Sequence, residues 1–107
     1  MTADLIIARI IAAFARTGLT PTWGARLRVG GCACATGAVA IDKSPRLASH
    51  VAGLRAVRPW GEHTCCVEIG WDNAIWDMKG APMAPCGAPD CTYYSAGAAA
   101  AVAMGVA

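Results

Sequence analysis

Two stretches of this chain are built almost wholly from residues too small to fill space. From Cys32 to Ile41 every position except Thr36, Val39 and Ile41 is Cys, Ala or Gly. From Cys91 to Met104, Ala outnumbers Tyr93, Tyr94, Val102 and Met104 together. Segments of this kind are stabilised by bringing one backbone very close to another, because they carry few side chains that could fill a wider gap. Space-filling residues come mainly from elsewhere: of 107 residues, 24 are Ala and 12 are Gly, and thirty are Leu, Ile, Val, Met, Phe, Trp or Tyr. That is enough for one small core, so residues 1–107 read as a single domain. With 15% charged residues and a net charge of +2 the chain is too apolar and too weakly charged to stay unfolded.

The local signals are mostly helical. Thr2 is a candidate N-cap, and Ile7, Ile10, Ile11 and Phe14 recur at helical spacing up to Gly18, which predicts a helix over 3–17 with Arg9 and Arg16 on its wet side. After a Gly, Pro and Thr loop with Trp23, the alternation from Arg26 to Val29 predicts a short strand ending at Gly30 and Gly31. Residues 32–41 read as a short buried helix. Ser44 and Pro45 form a helix-start pair, and Leu47, Val51 and Leu54 extend it over 45–56. Residues 63–69 alternate as a strand, with Cys65, Val67 and Ile69 on one face. Residues 70–90 are rich in Gly, Pro and Asp and read as a long loop with one helical turn near 74–78. Asp90 caps a last helix over 91–104, where Gly97, Ala101 and Gly105 make a smooth stripe suited to core packing or a homodimer contact. The expected architecture is mainly α, three to four short helices with a small two-stranded ribbon from 26–29 and 64–69, and α+β as the alternative.

The longest apolar run, Leu5 to Ala15, is 11 residues with Arg9 inside it, whereas a membrane-spanning helix needs about 20. Asp4 and Arg9 also make it a poor secretion signal, so the expectation is a cytoplasmic protein with reduced thiols. Charge is uneven. Residues 1–61 carry eight Lys or Arg against Asp4 and Asp42, whereas residues 62–107 carry Lys79 against Glu62, Glu68, Asp72, Asp77 and Asp90. A basic and an acidic face would suit electrostatic docking, with Arg26, Arg28, Arg46, Arg55 and Arg58 on the basic side, or else internal pairing of the two halves. Direct nucleic-acid binding is disfavoured, since a pI near 8.3 falls short of the usual basic footprint.

Several constellations could carry chemistry. Cys32-x-Cys34 with Cys86-x4-Cys91 would supply four thiolates for zinc, although neither spacing is the Cys-x2-Cys of zinc ribbons, and inert buried thiols are the blander reading. Cys65 or Cys66 beside His63 or His50, oriented by Asp72 or Asp77, could make a nucleophile. Glu68, Asp72 and Asp77 could pair as acid and base, but so short a chain offers little cleft. Phosphate-binding glycine motifs are absent.

The four tryptophans, Trp23, Trp60, Trp71 and Trp76, fall in or beside predicted loops. Tryptophan is enriched at binding hot spots, and its alternative role is to roof an Ala-rich core. The sequence therefore points to a non-catalytic protein-binding module that needs no cofactor, using Trp60, Trp71 and Trp76 as anchors with Asp72, Asp77, Arg55 and Arg58 around them. In size and lack of catalytic motifs the profile is similar to that of mobile-element proteins, including phage-encoded inhibitors that dock on larger, nucleic-acid-associated host complexes. A Cys-ligated zinc domain is the alternative, and a Cys-dependent enzyme the third reading.

Overall fold

The computed structural model describes residues 2–23, 28–76, 84–88 and 90–107. Thr2 caps the first helix, α1 (Ala3–Thr17), its side chain accepting the Leu5 N–H at 3.4 Å, and Gly18 ends it in the left-handed conformation, as the sequence predicts. The buried face is Ile6, Ile10, Ala13 and Phe14. It is rotated from the expected stripe, leaving Ile7 half-buried and Ile11 exposed.

Beyond α1 the chain forms three two-residue strands, β1 (Thr20–Pro21), β2 (Arg28–Val29) and β3 (Cys32–Ala33), in the order β1-β3-β2. β3 runs parallel to β1 and antiparallel to β2. The predicted strand at 26–29 thus exists in its described part, but its partner is 32–33, reached through the tight Gly30–Gly31 turn, and not 64–69. Pairing at 32–33 also delays the next helix, α2 (Ala35–Lys43), which starts after Cys34 and is buried from Ala35 through Ile41. Small side chains allow α2 to pack against α1, α3 and α4 at once.

The helix expected over 45–56 is broken in two, a 3-10 turn at Pro45–Leu47 and α3 (Val51–Val57). Ser44 makes no side-chain cap, and within α3 only Leu54 is fully buried, so no continuous apolar stripe holds the two pieces in line.

Residues 64–69 are not a strand. A 3-10 turn, Gly61–His63, leads directly into α4 (Thr64–Ile75). The Cys65, Val67, Ile69 alternation is outweighed by the longer helical repeat of Thr64, Val67, Gly70 and Trp71, all of which are buried. The final helix, α5 (Thr92–Ala103), lies where the sequence predicts it, but its N-cap is Cys91, which makes no side-chain cap hydrogen bond, and not the expected Asp90. The fold class is therefore mainly α, with five α-helices and one small sheet among the described residues.

α4 and α5 cross in backbone contact. A Cβ on Gly70 would collide with the Tyr94 carbonyl, and one on Gly97 with the Val67 carbonyl. The small-residue stripe is thus used inside the molecule: Gly97 and Ala101 are buried, and only Gly105 reaches the surface. Trp71 joins this pair to the rest of the core. It is fully buried, stacks on Phe14 with centroids 5.7 Å apart, and donates from Nε1 to the Thr22 carbonyl at 2.8 Å. No helix among the described residues is long and apolar enough to cross a membrane.

Candidate metal centre

A second, smaller apolar cluster lies beside the main core, formed by Cys66, Ala84 and Cys91 with Ala88, Tyr93 and Tyr94 packed against it. Three separately placed segments meet there. His63 closes the 3-10 turn and Cys66 sits one turn later in α4, so the change from 3-10 to α geometry brings two residues three apart onto one face. Cys86 lies in a tight turn, in which the Gly87 N–H donates to the Ala84 carbonyl at 2.8 Å and Gly87 takes a left-handed φ of 84° that favours glycine. Cys91 is the N-cap residue of α5.

The ligand atoms of His63, Cys66, Cys86 and Cys91 all lie within 4.8 Å of one another. His63 Nδ1 is 3.7 Å from the Cys66 sulfur and 4.0 Å from the Cys91 sulfur. Tetrahedral zinc, with bonds of about 2.3 Å to sulfur and about 2.0 Å to nitrogen, holds its ligand atoms roughly 3.5–3.8 Å apart. The four side chains therefore surround a space near zinc dimensions, and a contraction of about an ångström on the widest edge brings them close to bonding geometry.

The thiols of the cluster shift one another's ionisation. Burial pushes the Cys66 thiol up to about 11, while the Cys86 backbone N–H pulls it down and the neighbouring Cys86 and Cys91 side chains push it further up. Exposed Cys86 is held below its ordinary value, chiefly by the Ala88 backbone N–H and then by the Cys91 and Cys66 side chains. Cys66 and Cys86 are pushed in opposite directions, and a divalent metal would bind both as thiolates by displacing their protons. The imidazole is also held in place: its ring lies on Tyr93, with centroids 4.4 Å apart and planes 3° from parallel.

The four-cysteine set suggested by the spacing does not assemble. Cys86 and Cys91 do meet, but Cys32 is half-buried on β3 and Cys34 caps α2, its sulfur accepting the Gly37 N–H at 3.3 Å. The Cys34 thiol lies 3.6 Å from Glu68 Oε1, and burial, followed by the Glu68 charge, keeps it protonated. Glu68 itself is held above the usual carboxylate range by burial and by Asp72. The Cys66–His63 contact expected of a nucleophile is present, but around it stand two more thiols where a Cys-dependent enzyme would need an orienting carboxylate.

The expected binding residues are dispersed. Trp71 is core, and Trp60 is buried with the Arg9 guanidinium 5.9 Å from its ring, so neither indole can reach a partner. Trp76 is 56% exposed and meets the 54% exposed Trp23 edge to face at 4.8 Å. Arg55 and Arg58 are exposed and Asp72 is half-buried. Asp77, Arg26 and Lys79 lie outside the described residues.

What sequence reasoning missed is the ligand pair His63-x2-Cys66. Its two intervening residues are the spacing common in zinc-ligand pairs, with His in the place of the first Cys, but read as a strand the segment puts His63 and Cys65 on one face and turns Cys66 away from both. Comparison of the chain with protein-family models, curated proteins and solved structures finds no match.

Proposed function

We propose that this chain is a small zinc-stabilised domain whose metal is structural, held by His63, Cys66, Cys86 and Cys91. The observation that carries the proposal is the convergence of four ligand atoms within 4.8 Å from three separate segments. An N and S donor set of this kind suits zinc, and four protein ligands leave no open position for a substrate, so the role is non-catalytic. The centre ties the start of α4, the turn at 84–88 and the start of α5 together across a stretch of chain with few large side chains. Structural zinc in small peptides contributes on the order of 10 kcal/mol or more to folding. Thiolate ligands require reduced cysteines, which agrees with a cytoplasmic setting.

The test is native mass spectrometry of protein produced with zinc, followed by thermal melting with and without a chelator. One bound zinc, a clear fall in Tm on chelation, and loss of both in Cys66→Ser and Cys91→Ser support the proposal. Metal-free protein whose Tm ignores the chelator overturns it.

The exposed Trp23–Trp76 pair favours a second, compatible reading, that the domain serves as a protein-binding module. Trp76→Ala should then weaken capture of a partner while leaving the Tm unchanged, and capture that survives the change in a folded protein removes Trp76 as an anchor.

A further inference from the structure

The four ligands are unequally protected. Cys66 and Cys91 are buried and His63 is half-covered, but Cys86 is exposed. Cys86 lines an open cleft of about 590 Å³ together with Glu62, His63, Cys65, Pro85 and Ala88. Cys65, next in the chain to the ligand Cys66, lies outside the ligand cluster, and its thiol is exposed in that same cleft. A solvent-borne oxidant therefore reaches one ligand sulfur before the others, in a cleft that a non-ligand thiol also lines.

Resting on the zinc reading above, we propose that the centre is a peroxide-sensitive switch in which Cys86 is oxidised first and Cys65 resolves it. The Cys86 thiolate attacks one peroxide oxygen and the O–O bond breaks, giving a sulfenic acid and water once the departing hydroxide takes a proton. The Cys65 thiolate then attacks the Cys86 sulfur and the S–O bond breaks, forming a disulfide and releasing a second water. The thiol pair is oxidised by two electrons and the peroxide is reduced by two. Zinc loses its fourth ligand and leaves through the cleft. Cys66 and Cys91 lie within 4.8 Å of Cys86 but both hold the metal at the moment Cys86 reacts, which leaves Cys65 as the free thiol in the cleft.

The experiment begins by counting zinc in the reduced protein. A protein without zinc fails the metal reading itself, and this proposal with it, before any oxidant is added. Zinc-loaded protein is then treated with hydrogen peroxide in the presence of a chromogenic zinc chelator, followed by intact mass and peptide mapping. The expected result is release of one zinc, a mass lower by two hydrogens, a Cys65–Cys86 disulfide, and full recovery of binding after a thiol reductant and fresh zinc. Cys65→Ser, a change at an exposed non-ligand position, should still release zinc, but Cys86 should proceed to sulfinic acid and recovery should be lost. Zinc retention under peroxide, a disulfide between Cys66 and Cys91, or full recovery in Cys65→Ser each overturns the switch while leaving the metal reading intact.

Discussion

The His63 imidazole lies flat on the Tyr93 ring, with centroids 4.4 Å apart and planes 3° from parallel, and its Nδ1 faces the Cys66 sulfur at 3.7 Å. Tyr93 belongs to α5 and His63 to the turn before α4, so packing between two helix starts sets the direction of a ligand. Supporting contacts of this kind typically change metal affinity by about 10- to 100-fold. Tyr93→Ala should weaken zinc binding by about that factor in a competition titration, and Tyr93→Phe, which keeps the stack, should not.

Of the three tryptophans expected as anchors, Trp71 and Trp76 should separate cleanly by stability. Trp71 is fully buried, stacked on Phe14 and hydrogen-bonded to the Thr22 carbonyl, so Trp71→Ala should lower stability by about 3–5 kcal/mol in urea unfolding. Trp76→Ala, at a half-exposed ring, should shift the unfolding midpoint little.

Gly70 and Gly97 have no room for a methyl group, since the obstructing atoms are the carbonyls of Tyr94 and Val67 and not flexible side chains. Either Gly→Ala change should cost at least about 1–3 kcal/mol, the usual range for overpacking. It should also loosen the metal site, which chelator sensitivity would reveal.

Acid should act on the Arg16–Asp42 ion pair between α1 and α2. Arg16 makes a two-pronged contact with Asp42, at 2.6 and 2.8 Å, which holds the Asp42 carboxyl below its ordinary value. A carboxylate lowered in the folded state contributes stability above its unfolded pKa and loses it as pH falls through the folded value. Asp42→Asn should therefore lower the Tm slightly at neutral pH and not at all in strong acid. A Tm difference that stays constant across that range would count against the ion pair. The pair is largely exposed, so the effect should shrink further in high salt.

Local signals with a direct physical cause were legible in the sequence. Thr2 and Gly18 bound α1 because an N-cap oxygen and a left-handed glycine do so without outside help. The start of α5 was legible as well, and so was the capacity of Gly97 to let two backbones meet. What the sequence could not give is which backbone it meets. The α4 segment misled because three alternating residues satisfy a strand locally, and only burial of Trp71, two residues beyond them, selects the helix. The candidate metal centre depends on the same choice: Cys86 and Cys91 are visible as a pair, but their partners sit on α4 and its leading turn, about twenty residues earlier in the chain. No local spacing reports a contact made across that distance.

The contact between α4 and α5 also sets what the centre can discriminate. Because backbone rests on backbone at Gly70 and Gly97, the two helices have no compressible layer between them, and the separation of Cys66 from Cys91 behaves as a fixed gauge. Under the proposed metal reading, an ion with longer bonds to sulfur, such as cadmium, would be accommodated by the turns that carry Cys86 and His63. On that reading, selection by ionic radius falls to the two turns that carry His63 and Cys86, and the helices act as the rigid jaw against which they close.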